Sequence, residues 1–175
     1  MITLYDVNKD LCNEWEEEFK DIDSIEIVNK PFKDIEATHI VTAGNSFGWM
    51  TGGIDLAVRD YYGVEIQDAI QSEIIGRYNG ELPIGKIIVV YTDDTFKPNL
   101  VYIPTMRIPQ RIKSIDVFYC FYNLLGEFGL YGDLAVCGLG TGTGEVSAKE
   151  CAYMMRKAYD LYVERSNYIY DSKNK

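Results

Sequence analysis

One histidine, His39, is all that this 175-residue chain carries. A zinc cluster of Cys and His ligands therefore has too few donors. No Ser-His-Asp or Cys-His set is visible either, and no Gly-x-Ser-x-Gly occurs. The four cysteines, Cys12, Cys120, Cys137 and Cys151, are widely spaced and form no CxxC pair. They read as buried, reduced thiols. No apolar run approaches the length of a membrane span. The opening MITLYDVNKDL lacks the basic start and long apolar region of a signal peptide, so a cytoplasmic location is expected. Basic residues are also short: 17 Lys and Arg face 27 Asp and Glu, for a net charge of −10. Extended nucleic acid needs a basic face, and this composition argues against one. A small anion is a different matter. Backbone N–H groups and a helix N-terminus hold phosphate without any lysine.

Composition is otherwise that of a globular domain, with 47% apolar and 25% charged residues. Strand and helix patterns alternate along the chain. Residues 2–7 and 25–28 read as strands, with an amphipathic helix over 10–20 between them that carries Leu11, Trp15 and Phe19 four apart. Residues 39–43 form a strand whose Ile-Val core fits a buried central position. Helices follow over 53–62 and 65–78. Further strands are expected at 86–92, 99–104 and 133–138, and helices at 110–128 and 146–164. Tyr168 to Tyr170 suggest a last short strand, and residues 171–175 a frayed polar tail. No linker or repeat interrupts the pattern. The chain reads as one α/β domain over residues 1–170, its sheet covered by helices on both faces. Ligands of such folds sit beyond the carboxyl ends of the strands.

Two glycine-rich segments fall at such ends. The first is VTAGNSFGWMTGGID, residues 41–55; the second is GLGTGTG, residues 138–144. Together they hold eight of the fifteen glycines. Each runs from strand through glycines into helix, so each presents amides at a helix start, where an anion is favoured by roughly 0.3–1 kcal/mol. Tight turns explain one or two glycines per loop, not four. Neither loop is a phosphate-binding motif of the Gly-Lys-Ser/Thr type. The first lacks GxGxxG, and the second comes too late in the chain for a redox dinucleotide fingerprint.

The spacing Asn45, six residues, then Gly52-Gly53-Ile54-Asp55 resembles the Asn-x6-Gly-Gly-[Val/Leu/Ile]-Asp signature of macro domains. Ala43-Gly44-Asn45-Ser46 looks like that family's Asn-Ala-Ala-Asn-Ser lead-in, and 138–144 like its second loop. The likeness covers most of the chain, including the step Leu82-Pro83-Ile84-Gly85 before a strand. It implies a three-layer α/β/α sandwich around a mixed sheet, with a cleft for ADP-ribose or a derivative. It implies that Asn45 contacts the distal ribose and that Asp55 supports water attack on its anomeric carbon. The expected binding set is Ser46, Gly48, Trp49, Met50, Thr51, Gly52, Gly53, Ile54, Leu139, Gly140, Thr141, Gly142, Thr143 and Gly144. The implied partners are an ADP-ribose-type small molecule or an ADP-ribosylated protein. No metal or other cofactor is implied. Hydrolysis of an ADP-ribosyl or 1″-phosphate bond is one expectation. The alternative is a non-catalytic module that reads or sequesters an ADP-ribose-type signal, as in a phage or host immunity setting.

The chain also departs from the pattern. Thr42 replaces the first Asn of the family motif. Asn29-Lys30-Pro31-Phe32 occupies the region of an aspartate that holds the adenine amino group, and Asn29 is one candidate to accept that bond. Trp49 and Met50 stand where small or aliphatic residues are usual; an exposed Trp49 either stacks on ligand or packs on the loop. Arg107, between Pro104 and Pro109, either reaches a phosphate or is an ordinary surface arginine. His39 reads as structural, Asp93-Asp94 as solvated charge, and Glu14 to Glu18 as an exposed helix face. Tyr168 or Tyr170 could stack on adenine.

Overall fold

Alternation with a period of two builds the centre of the molecule. In the computed structural model, which describes residues 1–92, 94 and 96–173 (side chains to Tyr168), β3 spans His39–Asn45 and β5 spans Asn99–Met106. Ile40, Leu100 and Tyr102 point into one apolar layer, whereas Val41, Val101 and Ile103 point into the other. Both faces of these strands are covered, which is why they read as continuous apolar runs. β1 (Ile2–Tyr5), β2 (Ile25–Val28), β4 (Ile88–Val90) and β6 (Leu134–Cys137) complete a six-stranded sheet in the order β2-β1-β6-β3-β5-β4. β4 runs antiparallel to β5; the other pairs are parallel. The expected mixed sheet is present.

Helices α1 (Lys9–Glu18), α4 (Ser114–Phe128) and α5 (Ala148–Lys173) cover one face. Trp15 and Phe121 are its largest fully buried side chains. Helices α2 (Gly53–Tyr62) and α3 (Glu65–Tyr78) cover the other face through Val58, Ile70 and Ile74. The result is the three-layer α/β/α sandwich. At the far end of α1, Arg156 of α5 bonds the Glu18 carbonyl and the Asp21 carboxylate, clamping the two helices together.

Some expectations need correction. The strand read at 168–170 is the end of α5, so Tyr168 is helical and largely exposed; the Tyr170 side chain lies outside the described residues. β4 is three residues long rather than seven. α4 begins at Ser114, since Ile112 is instead tied by its amide to the Gly144 carbonyl. The cysteines are free and buried, as expected. Burial pushes the thiols of Cys120 and Cys151 up to about 12. His39 sits at the amino end of β3, its ring against Phe128, with Asn99 Nδ2 3.4 Å from its Nε2.

One irregularity positions everything that follows. β3 and β5 pair in step from His39↔Asn99 to Gly44↔Pro104, then slip so that Asn45 meets Met106. The hydroxyl of buried Tyr102 bridges the slip, accepting from the Asn45 amide at 2.9 Å and donating to the Asn45 carbonyl at 2.7 Å. It passes directly under Gly44, where any Cβ would overlap the tyrosine ring and hydroxyl. Gly44→Ala is therefore expected to destabilise by about 2 kcal/mol or more in urea unfolding, with unchanged m. A change within about 0.5 kcal/mol would show that the bulge does not need this contact.

Candidate functional site

The carboxyl ends of β1, β6, β3 and β5 come together at residues Asp6, Gly138, Asn45 and Met106. Here the chain leaves β3, makes the glycine loop and enters α2. Gly52 is the N-cap of α2 and offers no side chain to its first turn. The amides of Gly53, Ile54 and Asp55 have no intrahelical acceptor, because they precede the first turn's carbonyls. Gly53 has φ +56, a conformation that an L side chain resists.

Asp55 lies in this first turn, 5% exposed. Its Oδ1 accepts a 2.5 Å hydrogen bond from the hydroxyl of buried Thr42 on β3. Oδ2 has no protein donor among the described residues, and Asp55 lines the cavity. Burial pushes the carboxyl up to about 7, against the pull of the Thr42 bond. The departure at position 42 thus has a role: a hydroxyl ties the acid to the sheet.

Asn45 holds the loop. Its Oδ1 accepts from the amides of Phe47 (3.1 Å) and Trp49 (3.3 Å), and its Nδ2 donates to the Trp49 carbonyl at 2.8 Å. One Nδ2 hydrogen remains, and Asn45 also faces the cavity.

That cavity, about 140 Å³, is closed by both glycine loops. Asn45, Trp49, Thr51, Gly52, Gly53, Ile54, Asp55, Gly140, Gly142, Thr143 and Gly144 line it, so the structure brings these eleven expected residues together. Ala43, Gly44, Thr105, Met106, Pro109 and Gly138 complete the wall. A second, more apolar chamber of about 400 Å³ continues from it past Gly53, Ile54, Gly138 and Gly142. Its walls include Asp6, Lys30, Pro31, Phe32, Ala57 and Thr141. Sequence reading missed Asp6, Ala57, Met106 and Pro109. Asp6 is the most legible of them, as an acid at the carboxyl end of the expected first strand. Its Oδ1 and Oδ2 accept from the amides of Asn8 and Gly138, so it ties the second loop to β1.

Five expected binding residues do not line either chamber. Met50 and Leu139 are fully buried in the two apolar layers. Ser46 is buried, its amide shared between the carbonyls of Met106 and Arg107. Gly48 packs tightly against Ile70, Gln71 and Ile74 of α3. Arg107 is bound through Nε and Nη2 to Glu81 at 2.7 and 2.9 Å. Asn29 is likewise committed, donating to the Asp6 carbonyl at 2.8 Å. Asp93 lies outside the described residues; Asp94 accepts from the Phe96 amide.

The glycines divide into two groups. Gly44, Gly48, Gly138 and Gly144 are too closely packed for a Cβ, and Gly140 has φ +72 with Ile112 against it. The fold itself requires these, along with Gly53. Gly52 and Gly142 differ: their φ values are ordinary, and a Cβ on either would meet no protein atom within 4 Å. Both line the cavity. Amides of Gly52, Gly53, Gly142, Thr143 and Gly144 find no acceptor among the described residues. The arrangement suits an anionic group approaching the backbone. A roomier cavity of about 710 Å³ opens at the opposite, amino end of the sheet. It carries four acids, Asp34, Glu36, Asp94 and Asp133, against two bases, Lys33 and Lys97, and no glycine amide, so it suits such a group less well.

Comparison with known proteins agrees with this architecture. A family profile described as "Macro-like domain" matches residues 9–174, and the chain belongs to that family. The macrodomain of Mycobacterium tuberculosis DarG superposes with a TM-score of 0.65 at 22% identity, covering 75% of this chain and 87% of that one. A variant Oceanobacillus iheyensis macrodomain with ADPR gives 0.58 at 16% identity, over 81% and 91%. A Trypanosoma brucei macrodomain in complex with ADP-ribose gives 0.57 at 16%, over 75% and 55%. The search of curated proteins returned no match. Among the described residues no helix is long and apolar enough to cross a membrane.

The raised carboxyl of Asp55 makes stability fall with pH. Between about pH 4 and pH 7 the folded chain keeps a proton that the unfolded chain has released, so unfolding becomes easier as pH rises through that window. Asp55→Asn removes this dependence. Relative to wild type it should gain on the order of 2 kcal/mol between pH 5 and pH 8 in urea unfolding. Parallel pH profiles for the two proteins would contradict the buried, raised acid.

Proposed function

We propose that this macro-like domain binds ADP-ribose or an ADP-ribose derivative across the two chambers. The carrying observation is the pair of glycine loops meeting with the amides of Gly52, Gly53, Gly142, Thr143 and Gly144 unspent, around two glycines that need no positive φ and where a Cβ would meet no protein atom. In this reading the diphosphate lies along Gly52, Gly53, Gly142 and Thr143. The distal ribose occupies the smaller chamber beside Asn45 and Asp55, and the base occupies the apolar chamber by Pro31 and Phe32. The ADP-ribose and ADPR complexes of the Trypanosoma and Oceanobacillus macrodomains support it.

Asp55 supplies the means for hydrolysis. Its carboxylate would position and polarise a water for attack at the anomeric carbon, or at a 1″-phosphate, while the amides hold the phosphates still. A base must be ionised, and this one is largely so only above about pH 7. The same observation favours a second reading at lower pH. With the carboxyl protonated and bonded to Thr42, the domain reads or sequesters an ADP-ribose-type signal, free in the cytoplasm or attached to protein, without cleaving it. Sequestration is the activity a phage or host immunity factor would use.

Calorimetry with ADP-ribose tests the binding. Gly52→Ala and Gly142→Ala should each weaken it at least about tenfold without lowering the melting temperature, because each Cβ fills ligand space and touches no protein. No heat from wild type would end the reading. For turnover, product release from ADP-ribosylated protein and from ADP-ribose 1″-phosphate is followed against pH. The rate should climb about tenfold per unit below pH 7 and then level, and Asp55→Ala should abolish it. Tight binding with no turnover at any pH would leave the sequestering role.

A further inference from the structure

Trp49 is half exposed on the wall of the smaller chamber. Its fixing is more elaborate than a packing residue requires. Asn45 holds its N–H and its carbonyl from one side chain amide. Its ring stacks on Phe47, with centroids 5.0 Å apart and planes 23° apart. Arg107 lies over that phenyl ring at 5.3 Å and is itself locked by Glu81. A layered stack of ion pair, guanidinium, phenyl and indole therefore backs Trp49. Met106 and Pro109 line the same chamber, with Asp55 as its acid. An indole that is immobilised yet left open has prepaid the ordering cost of stacking on something flat.

Resting on the proposed binding of ADP-ribose derivatives, we infer that Trp49 selects ligands whose distal ribose carries a flat heteroaromatic ring, stacked on the indole. The class is a dinucleotide, with one base in the apolar chamber and the second on Trp49. A cationic ring suits this chamber best, because the indole face attracts a cation and the chain's net charge is −10. Arg107 does not oppose it, being neutralised by Glu81. A protein chain attached to the same ribose carbon would have to leave past the fixed indole.

The probes are NAD⁺, whose second base is a pyridinium, ADP-ribose, and an ADP-ribosylated peptide. Wild type should bind NAD⁺ about tenfold tighter than ADP-ribose in calorimetry, the order expected for one stacked base. Both should bind tighter than the peptide. In Trp49→Ala the NAD⁺ to ADP-ribose ratio should fall close to one, whatever happens to either affinity. Fluorescence gives an independent readout. Trp15, the other tryptophan, is fully buried among α1, α4 and α5, so quenching by NAD⁺ reports Trp49 and should vanish in Trp49→Phe. Equal affinity of wild type for NAD⁺ and ADP-ribose, or a ratio that survives Trp49→Ala, overturns the inference and leaves ADP-ribose binding standing. Preference for the peptide also overturns it. Failure of every probe to bind removes the underlying reading instead.

Discussion

A single buried hydrogen bond, from the Thr42 hydroxyl to Asp55, holds the site in register. It links the carboxyl end of a central strand to the first turn of α2. Thr42 lies fully buried behind the cavity wall and Asp55 is 5% exposed at its surface, so little water competes for the bond. The glycine loop between them must span from strand to helix under that constraint. Asn45 closes the early half of the loop with three bonds, and Gly53 turns the later half through a positive φ. The bond serves two masters. It fixes the acid in space and pulls its pKa down, while burial pulls it up more strongly. The balance leaves Asp55 titrating near neutrality, where a carboxyl is equally suited to hold a proton or to take one.

Around that acid the protein uses almost no positive charge. Among the described residues, no Lys or Arg lines the smaller chamber, and only Lys30 reaches the larger one. Arg107 stands close but is spent on Glu81. In the proposed binding, recognition of the anion then falls to oriented amides, which are fixed in place and need no side-chain ordering. This choice is compatible with a strongly acidic surface. Long polyanions are repelled by the net charge, while in the proposed binding a short diphosphate would be held at close range by local dipoles. The amides also select shape, since a dipole acts only within its first contacts whereas a lysine draws anions from farther away.

The fold was legible because its strands obey two rules at once. β3, β5 and β6 are apolar on both faces and short, so only a covered sheet accommodates them. Helices α2 and α3 begin and end at the residues their patterns indicate, bounded by Gly52, Gly63 and Asn79. The failures fall at ends. Tyr168 and Ile169 are β-formers by propensity, but they follow an established helix whose next turn costs less than a new strand. In the site, the glycine pattern marks the loop only as a block. Sequence spacing cannot tell that Met50 and Leu139 turn inward while Trp49 and Thr143 turn to the cavity. Arg107 shows the same limit, because its partner Glu81 is 26 residues away in the chain. Asp6 was missed since it joins the second loop only through the pairing of β1 with β6.

Glycine content, the feature that first marked these loops, carries less evidence than its number suggests. Six of the eight glycines are explained by packing or backbone conformation inside the protein. A tightly folded pair of loops would need them whether or not anything bound. The functional signal resides in the remaining two. Gly52 and Gly142 face each other's loop across the cavity, in ordinary backbone conformations, with room for a side chain that the sequence does not supply. Gly→Ala at such a site costs the folded state no contact, and by restricting the unfolded chain it tends to stabilise, a gain offset at Gly52 by the N-cap preference for glycine over alanine. Glycine there forgoes that gain, and in the proposed binding the space it keeps open is the space an incoming phosphate would use.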